Sequence, residues 1–217
     1  MKPNQRKILS ALIIIICFCS CAKPKRKINP LSIKLNDSAM QLVMHFGTDD
    51  KSVVNGINLL DKAIRIDSNY VTAYWNKFSF QNQLKQYNEA LETVKHLLKL
   101  RPNDALIIAL TGLAYEKTGD TISAAKCYKN ALSNYDKILD TMNLKNKSYC
   151  GLATGKAMIL KLLNKNEQSD AYLKGLLQTE TDPVNKQLYE ESLRDSRNDV
   201  LYGKGDTVSE NANPVKH

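Results

Sequence analysis

The sequence lacks the residue patterns that carry catalysis or hold a metal ion. Its three histidines, His45, His96 and His217, lie far apart, and none is spaced from a second His, Cys or carboxylate as metal ligands are. There is no Gly-x-Ser-x-Gly nucleophile motif and no glycine-rich phosphate-binding loop. We therefore expect a protein that is not an enzyme and that binds no metal or cofactor.

Glycine, aromatic residues and alternating apolar patterns are scarce too, which argues against a β-protein. Nine glycines and 7% aromatic residues suit a helical protein better than a β-sandwich, which needs many strand and turn signals. The apolar residues instead recur every three or four positions, as they do along one face of an α-helix. The sequence therefore predicts an all-α fold.

Cysteines that could pair in the folded region are few. Of five cysteines, Cys17, Cys19 and Cys21 lie near the amino terminus, which leaves Cys127 and Cys150. In a chain that is exported, two such cysteines would first be expected to form a disulfide. The predicted helices would place these two about 20 Å apart along antiparallel axes, so we expect two thiols.

The positive charge is concentrated at the amino-terminal end. The chain carries +9, but the basic residues among the first seven positions and those between positions 23 and 27 leave only +2 for the remainder. No stacking aromatic residues are interleaved with arginine there, so we expect no nucleic-acid partner. The basic cluster at 23–27 would either lie against anionic lipid headgroups or act as a solvated tether.

What the sequence does contain is an internal repeat. Gly56, Ala90 and Ala124 follow one another at a step of 34 residues, and each begins a similar apolar helix. A period of this length predicts helix–turn–helix units, which bury their apolar faces only by stacking on their neighbours.

Segment 105–132 shows the repeat most fully. Counted from its first residue, the eighth, eleventh, fifteenth, twentieth, twenty-fourth and twenty-seventh positions hold Gly112, Tyr115, Gly119, Ala124, Tyr128 and Ala131. This pattern resembles the tetratricopeptide repeat (TPR) family. The resemblance implies a right-handed superhelical array of about four helix pairs with a carboxy-terminal capping helix. The small residues would let the paired helices approach closely, and the tyrosines would fill the space beside them.

The other units depart from this pattern to different degrees. Unit 71–104 has Phe78 and Gln81 where the family has a small residue and an aromatic one, so its helices should pack less closely. Unit 37–70 should begin with a helix from Asp37 to about Phe46. A fourth unit at about 150–183 requires an insertion, which should lengthen the preceding helix by about three turns. Residues 184–201 would form the capping helix, and 202–217 a disordered tail.

The amino terminus resembles a bacterial lipoprotein signal. Basic residues precede an apolar run from Leu9 to Phe18, which is short for a membrane span, and Cys19-Ser20-Cys21 follows. The resemblance implies that residues 1–20 are removed and that Cys21 carries the lipid, with 21–36 as a basic tether. The alternative is an uncleaved anchor. In both cases the repeat domain, 37–201, would lie in the cell envelope, and we expect it at the outer membrane, facing the periplasm.

In the TPR family the first helices of successive units line a concave groove. The resemblance implies a binding groove formed by Thr72, Trp75, Ser79, Asn82, Gln83, Leu106, Ala109, Leu113, Glu116 and Lys117. The less regular units would add Gln41, His45, Met158 and Lys161. Trp75 would either point into the groove as an anchor for a ligand or pack beneath the neighbouring unit.

Together these features predict a membrane-anchored TPR lipoprotein that holds another protein or peptide in its groove. It would act as an adaptor or assembly factor in the cell envelope. The alternative is an accessory lipoprotein that handles glycans beside an outer-membrane transporter. Three tripeptides, beginning at Asp37, Asp120 and Asp206, also resemble the O-glycan acceptor motif of exported Bacteroidota proteins.

Overall fold

The computed structural model describes residues 26–46 and 49–203, and over these ranges the chain forms α-helices and no strand. The helices are α1 (Pro30–Phe46), α2 (Asp50–Ile66), α3 (Val71–Gln83), α4 (Tyr87–Leu100), α5 (Ala105–Lys117), α6 (Thr121–Leu139), α7 (Tyr149–Leu162), α8 (Asn166–Thr179), α9 (Pro183–Arg194) and α10 (Arg197–Tyr202). The predicted signal, the lipidation site Cys21 and the tail from residue 204 lie outside the described residues.

The helices are arranged as a linear array of pairs. The pairs α1–α2, α3–α4, α5–α6 and α7–α8 each pack on the next pair along the chain. Helix α9 then packs on α7 and α8, and α10 packs on α7. The predicted all-α array of four helix–turn–helix units is therefore confirmed.

One backbone motif recurs at the turn within three of the four units. Lys85, Gly119 and Asn164 have positive φ values of 56°, 90° and 58°. The residue after each donates its N–H to the carbonyl five positions earlier, at 2.9 Å, in the pairs Gln86–Gln81, Asp120–Tyr115 and Lys165–Leu160. This is the Schellman arrangement that ends a helix with a left-handed residue. Each left-handed residue occupies the fifteenth position of its unit, so the turns agree with the predicted register.

A close helix contact lies in the third unit, between α5 and α6. An ideal Cβ placed on Gly112 would lie 2.5 Å from Cε1 of Tyr128, so only glycine leaves room for this ring. Ala124 and Ala131 are buried at 1% and 0% exposure. These small residues do allow the close approach that the sequence predicted.

Unit 71–104 is less closely packed, as expected. Helices α3 and α4 contact each other less extensively than α5 and α6 do. Gln81 stands at the aromatic position of the family and is buried, and its Oε1 accepts a hydrogen bond from Thr93 Oγ1 at 2.7 Å. A buried amide is therefore satisfied by a threonine on the partner helix, which avoids the cost of an unpaired polar group.

Helix α1 begins at Pro30, earlier than the predicted start at Asp37. Pro30 fits the first helical position because its missing N–H needs no partner there, and Asn29 Oδ1 accepts from the Leu31 N–H at 2.9 Å. Ser32 then anchors the first turn, since its hydroxyl donates to the Ala63 carbonyl of α2 at 3.0 Å. Residues 30–36, which the sequence assigned to the tether, thus belong to the first unit.

The predicted three-turn extension of the helix that begins near Asp120 is wrong. Helix α6 ends at Leu139, and a loop of Asx turns follows. Asn143 Oδ1 accepts from the Lys145 N–H and Asn146 Oδ1 from the Ser148 N–H, each at 2.9 Å. Asparagine side chains compete with helical hydrogen bonds in this way.

The capping segment is two helices instead of the single one predicted over 184–201. Helix α9 ends at Arg194, and Ser196 starts α10 with a capping box. The Asp199 N–H donates to Ser196 Oγ at 3.1 Å, and the Ser196 N–H donates to Asp199 Oδ2 at 2.7 Å. This reciprocal pair favours a new helix start over a continuous helix.

Cys127 is half-buried and Cys150 is buried, and neither forms a disulfide. Two thiols were expected here from the helix geometry. Among the helices that the structure describes, none combines the length and apolar character needed to cross a membrane.

Candidate binding groove

Hydrogen bonds place the first helices of three units side by side. Asn76 Nδ2 of α3 donates to Asn36 Oδ1 of α1 at 2.8 Å. Lys117 Nζ of α5 lies 3.4 Å from Asn82 Oδ1 of α3, and 5.3 Å from the ring centroid of Tyr87. Helices α1, α3 and α5 therefore form one surface, as expected for the wall of a TPR groove.

Most of the predicted groove residues remain accessible on this surface. Thr72, Ser79, Gln83 and Leu106 are exposed, and Trp75, Asn82, Leu113, Glu116 and Lys117 are half-buried. Leu106 is 46% exposed, which is high for a leucine and leaves it available to an apolar ligand. Among the residues from less regular units, Gln41, His45 and Met158 are exposed.

Two predicted groove residues are buried and do not reach a ligand. Ala109 is 4% exposed, because its short side chain packs into the apolar core that runs from α5 to α10. Lys161 is 3% exposed. Its ammonium group donates to the carbonyls of Ser192 at 2.6 Å and Leu193 at 3.2 Å, so it caps the carboxy-terminal end of α9.

The exposure of Trp75 is intermediate between that of the accessible and the buried groove residues. The tryptophan packs against the apolar cluster of α3, α4 and α5, which includes Phe78 and Ile107. The adjacent Tyr74 stacks on His96 of α4, with ring centroids 6.1 Å apart. Trp75 thus packs against the core with one part of its side chain and leaves the other part accessible.

Glu116 is already engaged by the chain itself. Its carboxylate forms an ion pair with Arg197 of α10 and accepts a hydrogen bond from the Tyr128 hydroxyl at 2.7 Å. Arg197 Nε also donates to the Leu162 carbonyl of α7 at 3.2 Å. Burial, together with the Glu116 carboxylate, holds the pKa of Tyr128 well above its usual range.

A second depression, which the sequence did not predict, lies along α4. It consists of two adjoining cavities of about 500 and 440 Å³ that share Glu92 and His96. Lys95 crosses it, with Nζ 2.8 Å from a Glu92 carboxylate oxygen and 5.5 Å from the Tyr115 ring centroid. The cation-π contact and the ion pair hold this lysine in place.

A third cavity of about 590 Å³ lies beside the loop that follows α6. Its two carboxylates serve as local caps. Glu180 accepts from the N–H groups of Thr181 and Asp182, and Asp182 accepts from those of Val184 and Asn185. Within residues 26–46 and 49–203, no group of three or more His, Cys, Asp or Glu side chains is placed to hold a metal ion.

No family model matches the chain. Its fold is similar to the TPR-like repeats of a kinesin light chain protein from Podospora anserina, with a TM-score of 0.53 and 12% identity over 74% of this chain and 82% of that one. It is also similar to MamA of Desulfovibrio magneticus RS-1, with a TM-score of 0.40 and 12% identity over 70% and 96% of the two chains. A third similar structure is YrrB, described as a TPR protein with an unusual peptide-binding site, with a TM-score of 0.45 and 16% identity over 78% and 82%.

The first of these likenesses shows the fold of the chain. The described residues form an all-α, TPR-type superhelical array.

Proposed function

We propose that this protein is a TPR-type scaffold that binds a segment of another protein in the groove formed by α1, α3 and α5. The observation that carries the proposal is the surface of α3, where the exposed Thr72, Ser79 and Gln83 present uncharged hydrogen-bonding groups. Amide side chains donate and accept as peptide groups do, so they suit the backbone of a bound segment. The protein would act through this binding and carry out no chemistry of its own.

Apolar side chains beside these polar groups supply the anchor that such binding needs. Trp75 is half-buried on α3, and Leu106 is 46% exposed on α5. Aromatic residues that are partly packed before binding carry much of the affinity in many protein interfaces, because little side-chain entropy is lost when the partner arrives.

The proposal extends to the cell envelope. The basic start, the short apolar run and Cys21 support export and lipidation, which would anchor the scaffold at a membrane, as an adaptor or assembly factor at the periplasmic face of the outer membrane. The exposed cations Arg26 and Lys27, just before α1, would then lie near the lipid surface.

Glycan handling beside an outer-membrane transporter is the second candidate. It is favoured by the same surface, since Trp75 flanked by hydroxyl and amide groups also suits a sugar ring. The two candidates differ in what the groove would capture.

Photo-crosslinking in intact cells tests the proposal. A benzophenone amino acid replaces Leu106 in the groove or, as a matched control, Ile122 on α6, which is 85% exposed. Capture of a discrete protein from Leu106 and not from Ile122, reduced by Trp75→Ala, supports the scaffold function. Capture of polysaccharide supports the second candidate, and equal capture from both positions contradicts a groove site.

A further inference from the structure

The carboxylate of Glu116 forms an unusual site at the edge of the groove. The Glu116 side chain is 11% exposed, and both of its oxygens are engaged, one by Arg197 and one by the Tyr128 hydroxyl. The Leu162 carbonyl accepts from Nε of the same arginine. A carboxylate that the Tyr128 hydroxyl holds in place and a backbone carbonyl thus both accept from one guanidinium group, whose several donors in one plane match such acceptors.

The arginine comes from a remote part of the chain. Arg197 is the first residue of α10 and is 81 positions from Glu116. Helix α10 packs on α7, yet its first side chain reaches α5, which belongs to the preceding unit. The start of α10 therefore lies close to both α7 and α5.

Helix α10 is short. It has six residues, of which Leu201 is buried, and Val200 and Tyr202 pack against the same apolar core. A helix of this length is marginal by itself, so its position depends on this packing and on the Arg197 contacts. The preceding helix α9 has an independent attachment, because Lys161 binds the carbonyls at its end. Displacement of the Arg197 side chain from Glu116 would therefore leave α9 attached to the array.

We propose that Glu116, Tyr128 and Leu162 form an arginine-binding subsite of the groove and that Arg197 is an internal ligand, which an arginine of the partner protein displaces. The inference rests on the proposed function and names the chemistry of the partner segment. Charge complementarity supports this occupant, because a nearly buried carboxylate that loses Arg197 requires another cation. Arginine fits better than lysine, since lysine offers a point charge without a planar fork.

The test uses Nα-acetyl-arginine amide as the probe and NMR titration of the purified protein as the measurement. Arg197→Gln empties the subsite, so this variant should bind the probe about tenfold more tightly than the wild type, because the probe no longer competes with the internal ligand. The matched control is Arg194→Gln on α9, whose side chain is 72% exposed and pairs with Glu190 at 3.6 Å. This variant should bind the probe as the wild type does.

Two further comparisons decide the assignment. The double variant Arg197→Gln, Glu116→Gln should lose the gained affinity, and Nα-acetyl-lysine amide should bind Arg197→Gln more weakly than the arginine probe. The subsite is overturned if Arg197→Gln binds the arginine probe no more tightly than the wild type does. It is also overturned if the double variant binds the probe as tightly as Arg197→Gln does. If Arg197→Gln does not fold, as judged by circular dichroism, Arg197→Lys takes its place with a smaller gain expected, and absence of that gain overturns the subsite as well.

The crosslinking experiment at Leu106 separates this inference from the proposed function. If Leu106 captures a protein but Arg197→Gln shows no increased affinity for the arginine probe, the arginine subsite is excluded and the scaffold function is retained. If Arg197→Gln shows the increased affinity but Leu106 captures no protein, the subsite is retained and the scaffold function is excluded.

Discussion

The contact between Gly112 and Tyr128 leaves no space for another atom. A Cβ at Gly112 would approach the ring to 2.5 Å, and the ring cannot move away because it is 2% exposed and its hydroxyl is bound by Glu116. We expect Gly112→Ala to lower the free energy of unfolding by about 1–3 kcal/mol through overpacking. Urea denaturation of the purified protein measures this change.

Gly151→Ala is the matched control for that substitution. Gly151 lies in α7 with no neighbouring atom within 4 Å of a Cβ, so alanine should be neutral or stabilising by up to about 1 kcal/mol. Equal stability of the Gly112→Ala protein and the wild type would contradict the close contact.

Trp75 is half-buried and is the aromatic residue proposed to anchor a partner. Because its side chain is half-buried, we expect iodide to quench its fluorescence, and the chain has no other Trp to obscure the signal. Trp75→Ala should weaken partner capture by about 2 kcal/mol or more. Its effect on stability should stay below the roughly 3–5 kcal/mol of a fully buried tryptophan. A blue-shifted emission that iodide does not quench would remove Trp75 from the binding surface.

The turns within the units allow a paired test of helix termination. Gly119 and Lys85 occupy equivalent positions with φ values of 90° and 56°. Because a side chain is disfavoured in this conformation, Gly119→Ala should cost about 1 kcal/mol and Lys85→Gly should stabilise by a smaller amount. Thermal unfolding followed by circular dichroism measures both, and shifts in the same direction would argue against the shared turn.

The helix pairs were predictable from the sequence, but the start of α1, the end of α6 and the break between α9 and α10 were not. The step from Ala90 to Ala124 and the glycine at 119 mark helix contacts and a turn directly, because only small or flexible residues fit there. The end of α6 at Leu139 was hidden by an apolar stripe that continues beyond it. The break before Ser196 depends on a reciprocal cap with Asp199, which a count of apolar spacing does not register.

The candidate groove could also be predicted from the repeat, but the ion pair that Arg197 forms at its edge could not. Position within a unit predicted Thr72, Asn82 and Glu116 as groove residues, and each of them is at least partly exposed. The partner of Glu116 could not be predicted, because Arg197 lies 81 positions away on a different helix. Lys161 was misassigned because its carbonyl partners come from the last turn of α9, which is about 30 positions further along the chain.

Buried tyrosines make the stability of the array sensitive to alkaline pH. Burial, with a smaller contribution from Asp104, raises the pKa of Tyr135 to about 12, and burial also raises the pKa values of Tyr128, Tyr172 and Tyr189. An unfolded tyrosine ionises near pH 10, so the unfolded state loses protons first. Stability should therefore be complete below about pH 10 and decline as the pH rises towards 12.

Urea denaturation at a series of pH values measures this decline, with tyrosinate absorbance as an independent readout. Tyr135→Phe removes one titrating group and should reduce the slope above about pH 10. A midpoint that stays constant through this interval would contradict the prediction.

Attachment of the whole molecule to a membrane should depend on one cysteine. If Cys21 carries the lipid, Cys21→Ser should release the protein from the membrane fraction, whereas Cys19→Ser should leave it attached. Fractionation followed by a high-salt wash and immunoblotting measures the distribution. A Cys21→Ser protein that stays with the membrane after the wash would exclude lipidation at this residue.

The Arg197 contact at the start of α10 also bears on where a reporter can be attached. A labelling enzyme fused after Gly203, the residue that follows α10, is joined through one short helix to the residue that contacts Glu116 on α5. Such a fusion should therefore biotinylate molecules that bind near Glu116 in preference to those that touch α2. A bulky affinity tag is better placed elsewhere, since at this position it would be held within one short helix of the proposed binding surface.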